Sequence, residues 1–397
     1  MTELPQALQG VRVLDLATFI AAPFAAGMLA ELGADVVKVE QPGVGDAIRE
    51  LGTKVNGRAL FWALEGRGRR SVTLNLRVPR GQELALELIR RADVVVENFR
   101  PGTLERWNLG YERMREINPA LVLLRVSAYG QTGPYAARPG FGRIAQAFGG
   151  LTYLAGHPDR PPVLPGSATL ADYAAGLFGA YAVLAALRHR ERTGDGQVVD
   201  VSLYESIFRF TDYTALAYDA LGHVRERAGS QAHAVPHDHF PTADDRWIAI
   251  ACTSDRLFRR LATAMGEAAW ADDPNYDSME DRVARRASVD ARVGAWTSRL
   301  PQREVCRLLD EAEVPNSPIY SIADCFADPH YAARSTLVTV DDPVIGPVRV
   351  PAPVPRFSAT PSRPPSPAPE LGAHNAEVFG ELGLSAAELA QLHAEGI

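Results

Sequence analysis

Residues 11–40 read VRVLDLATFIAAPFAAGMLAELGADVVKVE, and this stretch decides the fold. Val11–Leu16 is an apolar run that predicts a strand. Phe24–Leu32 carries small residues on one side at helical spacing, and Ala34–Glu40 is a second apolar run. Strand, helix and strand in so short a span make one βαβ crossover, which joins parallel neighbours. The pattern recurs downstream. Ser71–Leu76 predicts a strand, Gly81–Arg91 an amphipathic helix and Ala92–Val96 a strand; Leu104–Ile117 then predicts a helix and Leu121–Ser127 a strand. Near-continuous Val and Leu runs between helices suit a parallel sheet covered on both faces. The expected class is α/β: a Rossmann-like, doubly wound parallel sheet with a second, smaller α+β domain.

Further on, Leu170 to Arg190 forms one long apolar helix that contains Asp172 and two tyrosines, which suits a buried core helix better than a membrane span. GDGQVVDVSLYESIFRF (194–210) then gives a turn, a strand and a helix. Arg225–Pro241 reads as a polar, His-rich loop, Trp247–Cys252 as a strand, and Ser254–Ala312 as exposed helices. Pro343 to Pro369 is so dense in proline that no regular structure is expected. Ser385–Glu395 reads as a short helix with Ser385 as N-cap.

Composition narrows the function. The 397 residues are 46% apolar and 22% charged, as in an ordinary globular protein. A net charge of −7 argues against nucleic acid or an anionic membrane as partner. Cys252, Cys306 and Cys325 are few and scattered, which fits a reducing, cytoplasmic setting. The opening MTELPQALQG shows no signal-peptide pattern. None of the nine histidines falls in an HExxH pattern, and His233, His237 and His239 read as loop residues, so no metal site is expected.

Several familiar chemistries lack their core signal. The first βα turn reads ATFIAAPFAAG, with Ile20 and Pro23 where a dinucleotide pyrophosphate needs bare glycine backbone. No GxSxG elbow and no phosphate loop occur. Loops near the strands do carry groups suited to a long anionic ligand: Arg67, Arg69 and Arg70, then Asn98-Phe99-Arg100-Pro101-Gly102, then Arg106. Any one of these arginines is more simply a solvated residue; their recurrence makes the joint case. Asp172 lies in the first turn of the long apolar helix, after the small segment Gly166-Ser167-Ala168-Thr169. Such a carboxylate can compensate the helix dipole, the commoner role, or it can act as a nucleophile beside N–H groups able to hold an oxyanion.

The order of longer segments resembles the type III CoA-transferases, a family with formyl-CoA and carnitine CoA-transferases and α-methylacyl-CoA racemases. The segments are Leu8–Asp46, Arg69–Tyr111, Ile117–Phe141, LADYAAG (170–176), Arg188–Ser206 and LGAHNAEVFGELGLSAAEL (371–389). The resemblance spans nearly the whole chain and is weakest from about 220 to 340. It implies a large CoA-binding domain (1–205), a linker (206–224), a small domain (225–330), a Pro-rich return linker (331–369) and a tail (370–397) packed on the large domain. It also implies an interlocked homodimer. In such transferases the acid of a D-x-x-x-G element is the nucleophile, and Asp172 to Gly176 occupies that element. Coenzyme A and acyl-CoA enter as substrates, with small carboxylic acids as partners and no permanently bound cofactor. CoA contacts carry over to Phe19, Ile20 and Ala21, to Asn98 and Phe99, and to Arg106 and Arg70. Two departures stand out: Ile20 replaces a polar side chain that orients the nucleophile in some members, and no Gly-rich flap is evident at 229–241.

The racemases need a histidine where this chain has Phe141, and phenylalanine carries no proton. Transferase is therefore the expectation, with racemase or a non-catalytic CoA-binding protein as alternatives. FGRIAQAFGGLTYLAG (141–156) and RPPVLPG (160–166) are similar to members that use succinyl-CoA and dicarboxylates such as malate or citramalate. Phe141 and Arg143 are the expected acid-side residues, with Arg143 suited to a distal carboxylate.

Overall fold

A computed structural model describes residues 6–363 and 365–397. The chain forms two compact units. One gathers the chain up to Tyr153 with Leu164–Val224 and Ser335–Ile397; the other gathers Leu154–Val163 and Arg225–Arg334.

The first unit is built on β1 (Arg12–Asp15), β2 (Asp35–Glu40), a small hairpin of β3 (Lys54–Val55) and β4 (Arg58–Ala59), β5 (Arg70–Thr73), β6 (Val94–Glu97), β7 (Val122–Ser127) and β8 (Val198–Ser202). Six of these make one sheet in the order β5-β2-β1-β6-β7-β8, with every pair parallel. The winding reverses between β1 and β6. Strands β6 and β7 are buried almost throughout, which is why they read as unbroken apolar runs. The carboxyl ends of β1 and β6 therefore flank a crevice at the topological switch point, where open α/β sheets bind ligands.

Three helices position the site. α1 (Ala21–Glu31) follows β1; α2 (Gly142–Phe148) is a short helix after β7; α3 (Leu170–Thr193) is long and apolar. α1 and α3 meet through small side chains, among them Ala22, Ala25, Ala26, Ala171 and Ala175, all buried. A Cβ at Gly176 would lie 2.6 Å from the Ala21 carbonyl oxygen, so this glycine sets how closely the helices approach. By length and composition α3 could cross a membrane, with mean hydropathy 1.5, but its buried side is the core of this unit. The other face carries helices Pro79–Arg91 and Asn375–Glu381, with Val378 and Phe379 buried against Leu84, Leu88 and Met114.

The second unit has an antiparallel sheet of β9 (His237–Pro241), β10 (Trp247–Ala251) and β11 (Asn316–Pro318), ordered β11-β10-β9. Phe258, Leu261, Val289, Val293, Val305 and Leu309 pack on it from helices.

Three local expectations change. The helix expected over Leu104–Ile117 is two pieces, Thr103–Arg106 and Tyr111–Ile117, because Asn108 adopts a left-handed φ of 55° and breaks it. The proline-dense stretch contains strand β13 (Gly346–Pro351), paired with β12 (Leu337–Asp342); a two-stranded ribbon tolerates Pro347 and Pro351 where a central strand would not. The His-rich loop ends in strand β9. Segment Leu154–Val163 groups with the second unit.

Candidate active site

A cavity of about 230 Å³ opens at the switch point of the sheet. Its walls are Thr18–Ala21 after β1, Asn98–Pro101 after β6, Val126–Ala128 at the end of β7, Arg138–Phe141 ahead of α2, and Asp172 on α3. A larger cavity of about 690 Å³ lies on the other side of Tyr173, walled mainly by Phe24, Met28, Leu64, Leu177 and Phe210. Its exposed lining is mostly apolar and, of the groups expected at the site, it holds only Arg67, so the smaller cavity is the candidate site.

Asp172 stands in the first turn of α3, whose N-cap Thr169 makes no side-chain cap bond. The Asp172 carboxylate leans on Gly142: a Cβ there would lie 2.2 Å from Asp172 Oδ2 and 2.7 Å from the Ala168 carbonyl oxygen. Glycine at the start of α2 thus makes room for the acid. Burial pushes the Asp172 carboxyl from 3.8 up to about 7, while a hydrogen bond from its own backbone N–H pulls the other way. Among the described residues no cation pairs with it. A desolvated, unpaired carboxylate at a cavity wall has the character of a nucleophile.

The loop facing it is tightly held. Asn98 clamps Thr18 twice: its Oδ1 accepts the Thr18 N–H at 2.8 Å and its Nδ2 donates to the Thr18 carbonyl at 2.7 Å. The Phe19 ring meets Phe141 edge-on at 5.7 Å. Ile20 is buried in a cluster with Ile48, Ala59 and Trp62, which accounts for an apolar side chain at that position. Phe99 donates its N–H to Glu97 Oε2 at 2.7 Å and packs edge-on against Trp107 at 5.0 Å.

The structure therefore brings Phe19, Ile20, Ala21, Asn98, Phe99, Phe141 and Asp172 together. Arg106 and Arg143 stand beside the group without lining the cavity. Arg106 donates to Thr103 Oγ1 at 2.9 Å, and exposed Arg143 follows Gly142. Arg70 does not join them. It lies on the opposite sheet face, where its guanidinium is taken up by Asp35, Glu377 and Glu381. Arg69, one residue earlier and so on the other face, is buried and bound to Asp15 at 2.9 Å, and Arg67 donates to the Leu64 carbonyl at 2.6 Å. Neither lines the cavity.

Contributors that escaped the sequence reading include Gly142, Ser127 and Arg138, the last stacked over Tyr135 at 3.7 Å. The only hint for Gly142 was a second glycine in PGFG, just ahead of a helix. Among the described residues no group of three His, Cys, Asp or Glu is placed to hold a metal.

Fold and site together define an α/β protein with one half-buried, unpaired carboxylate on the wall of its switch-point cavity. Comparison with known proteins specifies the class. The sequence pattern of CoA-transferase family III matches residues 8–375. The chain is 50% identical over 385 residues to the succinyl-CoA–L-malate CoA-transferase beta subunit of Chloroflexus aurantiacus, covering 96% of this chain and 95% of that one. It is 42% identical to the succinyl-CoA–D-citramalate CoA-transferase of the same organism, over 99% of this chain and 98% of that one. A crystal structure of a CaiB/BaiF family protein from Brucella suis superposes with a TM-score of 0.83 at 35% identity, covering 95% of this chain and all of that one. The chain belongs to CoA-transferase family III and is an enzyme of the transferase class.

Proposed function

We propose that this protein moves CoA from succinyl-CoA to a hydroxydicarboxylate, malate or citramalate, through a covalent intermediate on Asp172. The observation that carries the reading is the Asp172 carboxylate, desolvated and unpaired, on a cavity wall opposite the Phe19–Ala21 and Asn98–Phe99 loops. The acid pair follows the relatives above, one of which is 50% identical.

The chemistry uses the residues at hand. The ionised Asp172 attacks the thioester carbonyl of succinyl-CoA; the C–S bond breaks, giving a mixed anhydride and the CoA thiolate. The thiolate attacks the Asp172 carbonyl, releasing succinate and leaving an aspartyl-CoA thioester. The acceptor carboxylate then attacks that thioester, and the thiolate returns to the acceptor's acyl carbon, freeing Asp172. Each step exchanges one acyl bond for another, so the thioester's reactivity is conserved. Water would hydrolyse both intermediates, and the apolar walls of Ile20, Ala21, Val126 and Leu203 oppose its access. The cavity supplies Phe141 where proton abstraction at the α-carbon would need a base, which favours transfer over racemisation.

The protein is further proposed to work as a cytoplasmic homodimer with no permanently bound cofactor. Exposed Leu177, Tyr181, Phe210, Leu216 and Tyr218 support an apolar subunit face, and the free cysteines suit a reducing compartment. Light scattering would reveal a monomer if that is wrong. The central test is intact-protein mass spectrometry after mixing with succinyl-CoA, with hydroxylamine or borohydride trapping. A CoA adduct on the LADYAAG peptide, lost in Asp172→Ala, is expected; an adduct elsewhere, or full turnover by Asp172→Ala, ends the reading.

A further inference from the structure

Three successive amides of the loop that shares a cavity with Asp172 are each accepted by a different side chain, of which Asp15 and Asp46 are buried and Asn98 half-buried. The Ala17 N–H donates to Asp15 Oδ1 at 3.1 Å, the Thr18 N–H to Asn98 Oδ1 at 2.8 Å, and the Phe19 N–H to Asp46 Oδ1 at 3.0 Å. From below, Lys38 Nζ donates to the Ala17 carbonyl at 2.8 Å. Lys38 is 1% exposed, and its ammonium sits 2.8 Å from Asp46 Oδ2 and 3.6 Å from Asp15 Oδ2. Asp46 is fixed in turn: its own N–H donates to Glu40 Oε2 at 2.9 Å, a carboxylate that Arg49 holds with two bonds of 2.7 Å.

This arrangement has a consequence at Phe19, whose φ of 62° lies in the left-handed region that bulky residues seldom enter. Such a conformation persists only where surrounding bonds over-determine it, and such sites cluster around function. The Asp46 bond to the Phe19 amide and the double clamp of Asn98 on Thr18 supply that constraint. Buried ion pairs are poor sources of stability, since an apolar pair of similar volume often serves as well. What the Lys38–Asp46 pair does supply is one loop shape, and the residues so shaped, Phe19 to Ala21, line the same cavity as Asp172.

We infer that Asp46, held by Lys38, is a positioning residue for the transfer reaction: it fixes the Phe19 amide so that Phe19–Ala21 presents a single surface to the thioester. The inference rests on the reading of Asp172 as nucleophile. It is tested with Asp46→Asn, which keeps the shape but removes the charge that Lys38 binds, and with Asp46→Ala, which removes the acceptor. Asp93→Asn is the control, since it breaks the 2.7 Å pair with Arg190 at the far end of the sheet.

Adduct formation on Asp172 is followed by intact mass against succinyl-CoA concentration, with thermal unfolding measured on the same samples. Both Asp46 variants are expected to need about tenfold more succinyl-CoA, or above, for half-maximal adduct, while Asp93→Asn matches the wild type. A purely structural role would lower the amplitude, by loss of folded protein, and leave the half-saturating concentration unchanged. Should Asp46→Ala fail to fold, Asp46→Asn carries the test alone. If the wild type forms its adduct and folded Asp46→Asn has an unchanged half-saturation, the inference is overturned and the nucleophile stands. If the wild type forms no adduct on Asp172, the nucleophile reading fails and the inference falls with it.

Discussion

Replacing Asp172, the proposed nucleophile, should make the protein more stable while abolishing its activity, and the stability gain should depend on pH. Burial raises the Asp172 carboxyl from 3.8 to about 7, so the folded protein holds a proton there more tightly than the unfolded chain does. Between these values the native state binds more protons, and stability falls as pH rises through the interval. Above pH 7 the full cost of the desolvated anion is present. At 1.36 kcal/mol per pH unit that cost is at most about 4 kcal/mol, and partial access to solvent through the cavity mouth brings it to roughly half. Asparagine keeps the shape and carries no charge. Asp172→Asn should therefore raise stability by about 2 kcal/mol at pH 8, and the gain should shrink to about half of that by pH 5.5. Urea unfolding of both proteins at the two pH values measures it. The adduct with succinyl-CoA should vanish in the variant, and in the wild type its rate should fall as pH drops below about 7, where Asp172 becomes protonated. A variant no more stable at pH 8, or equally stabilised at both pH values, would show that desolvation of this carboxylate is not what the geometry implies.

Further outcomes follow from neighbouring residues. Gly142→Ala places a methyl 2.2 Å from Asp172 Oδ2 and 2.7 Å from a backbone oxygen, so the carboxylate must move, and adduct formation should slow by about tenfold or more; an unchanged rate in quenched-flow mass spectrometry would refute the fit. Arg143→Ala should raise KM for diacids and spare monoacids, and wild-type preference for monocarboxylates would remove the basis for this assignment. With Phe141 at the site, a chiral 2-methylacyl-CoA in heavy water should gain no enzyme-dependent deuterium at its α-carbon, and rapid incorporation would favour racemase chemistry instead.

Which parts of this were legible in the sequence has a physical pattern. The strands of the parallel sheet were, because burial on both faces leaves them nearly all apolar, as in Val94–Val96 and Val122–Leu124. Strand order was not, since nothing local in Arg12–Asp15 says that β6 rather than β5 lies beside it, and with the order went the position of the switch point. The break at Asn108 was signalled by WNLG but outweighed by the helical spacing around it. Arg70 misled for a related reason: adjacent strand residues face opposite ways, so a run of arginines at 67, 69 and 70 cannot act as one cluster. Asp172 was picked out by its family element, whereas Gly142, thirty residues earlier, acquires meaning only when the fold presses it against that carboxylate.

The charges near the site are treated in opposite ways, and the difference follows from what each must do. Asp15, Lys38, Asp46 and Arg69 are all buried, yet each has an opposite charge within 3.6 Å and hydrogen bonds to backbone besides. That compensation makes them rigid and chemically inert, which suits a scaffold for the Phe19 loop. Asp172 receives no such partner. An arginine or lysine beside it would lower its pKa and anchor it, but would also withdraw charge from the oxygen that must attack a carbonyl and would stabilise the free carboxylate against acylation. Leaving it desolvated and unpaired raises the free energy of the resting anion, and in the proposed reaction that cost is relieved when Asp172 becomes a neutral anhydride or thioester. Asp172 is held in place by uncharged means: the close fit of Gly142, the turn of α3 that bears it, and the approach of α1 that Gly176 permits. Side chains at either glycine would have to be accommodated by moving the carboxylate or the loop that faces it. The small residues around Asp172 are thus the counterpart of the ion pairs beneath Phe19, positioning by shape where positioning by charge would quench the reaction.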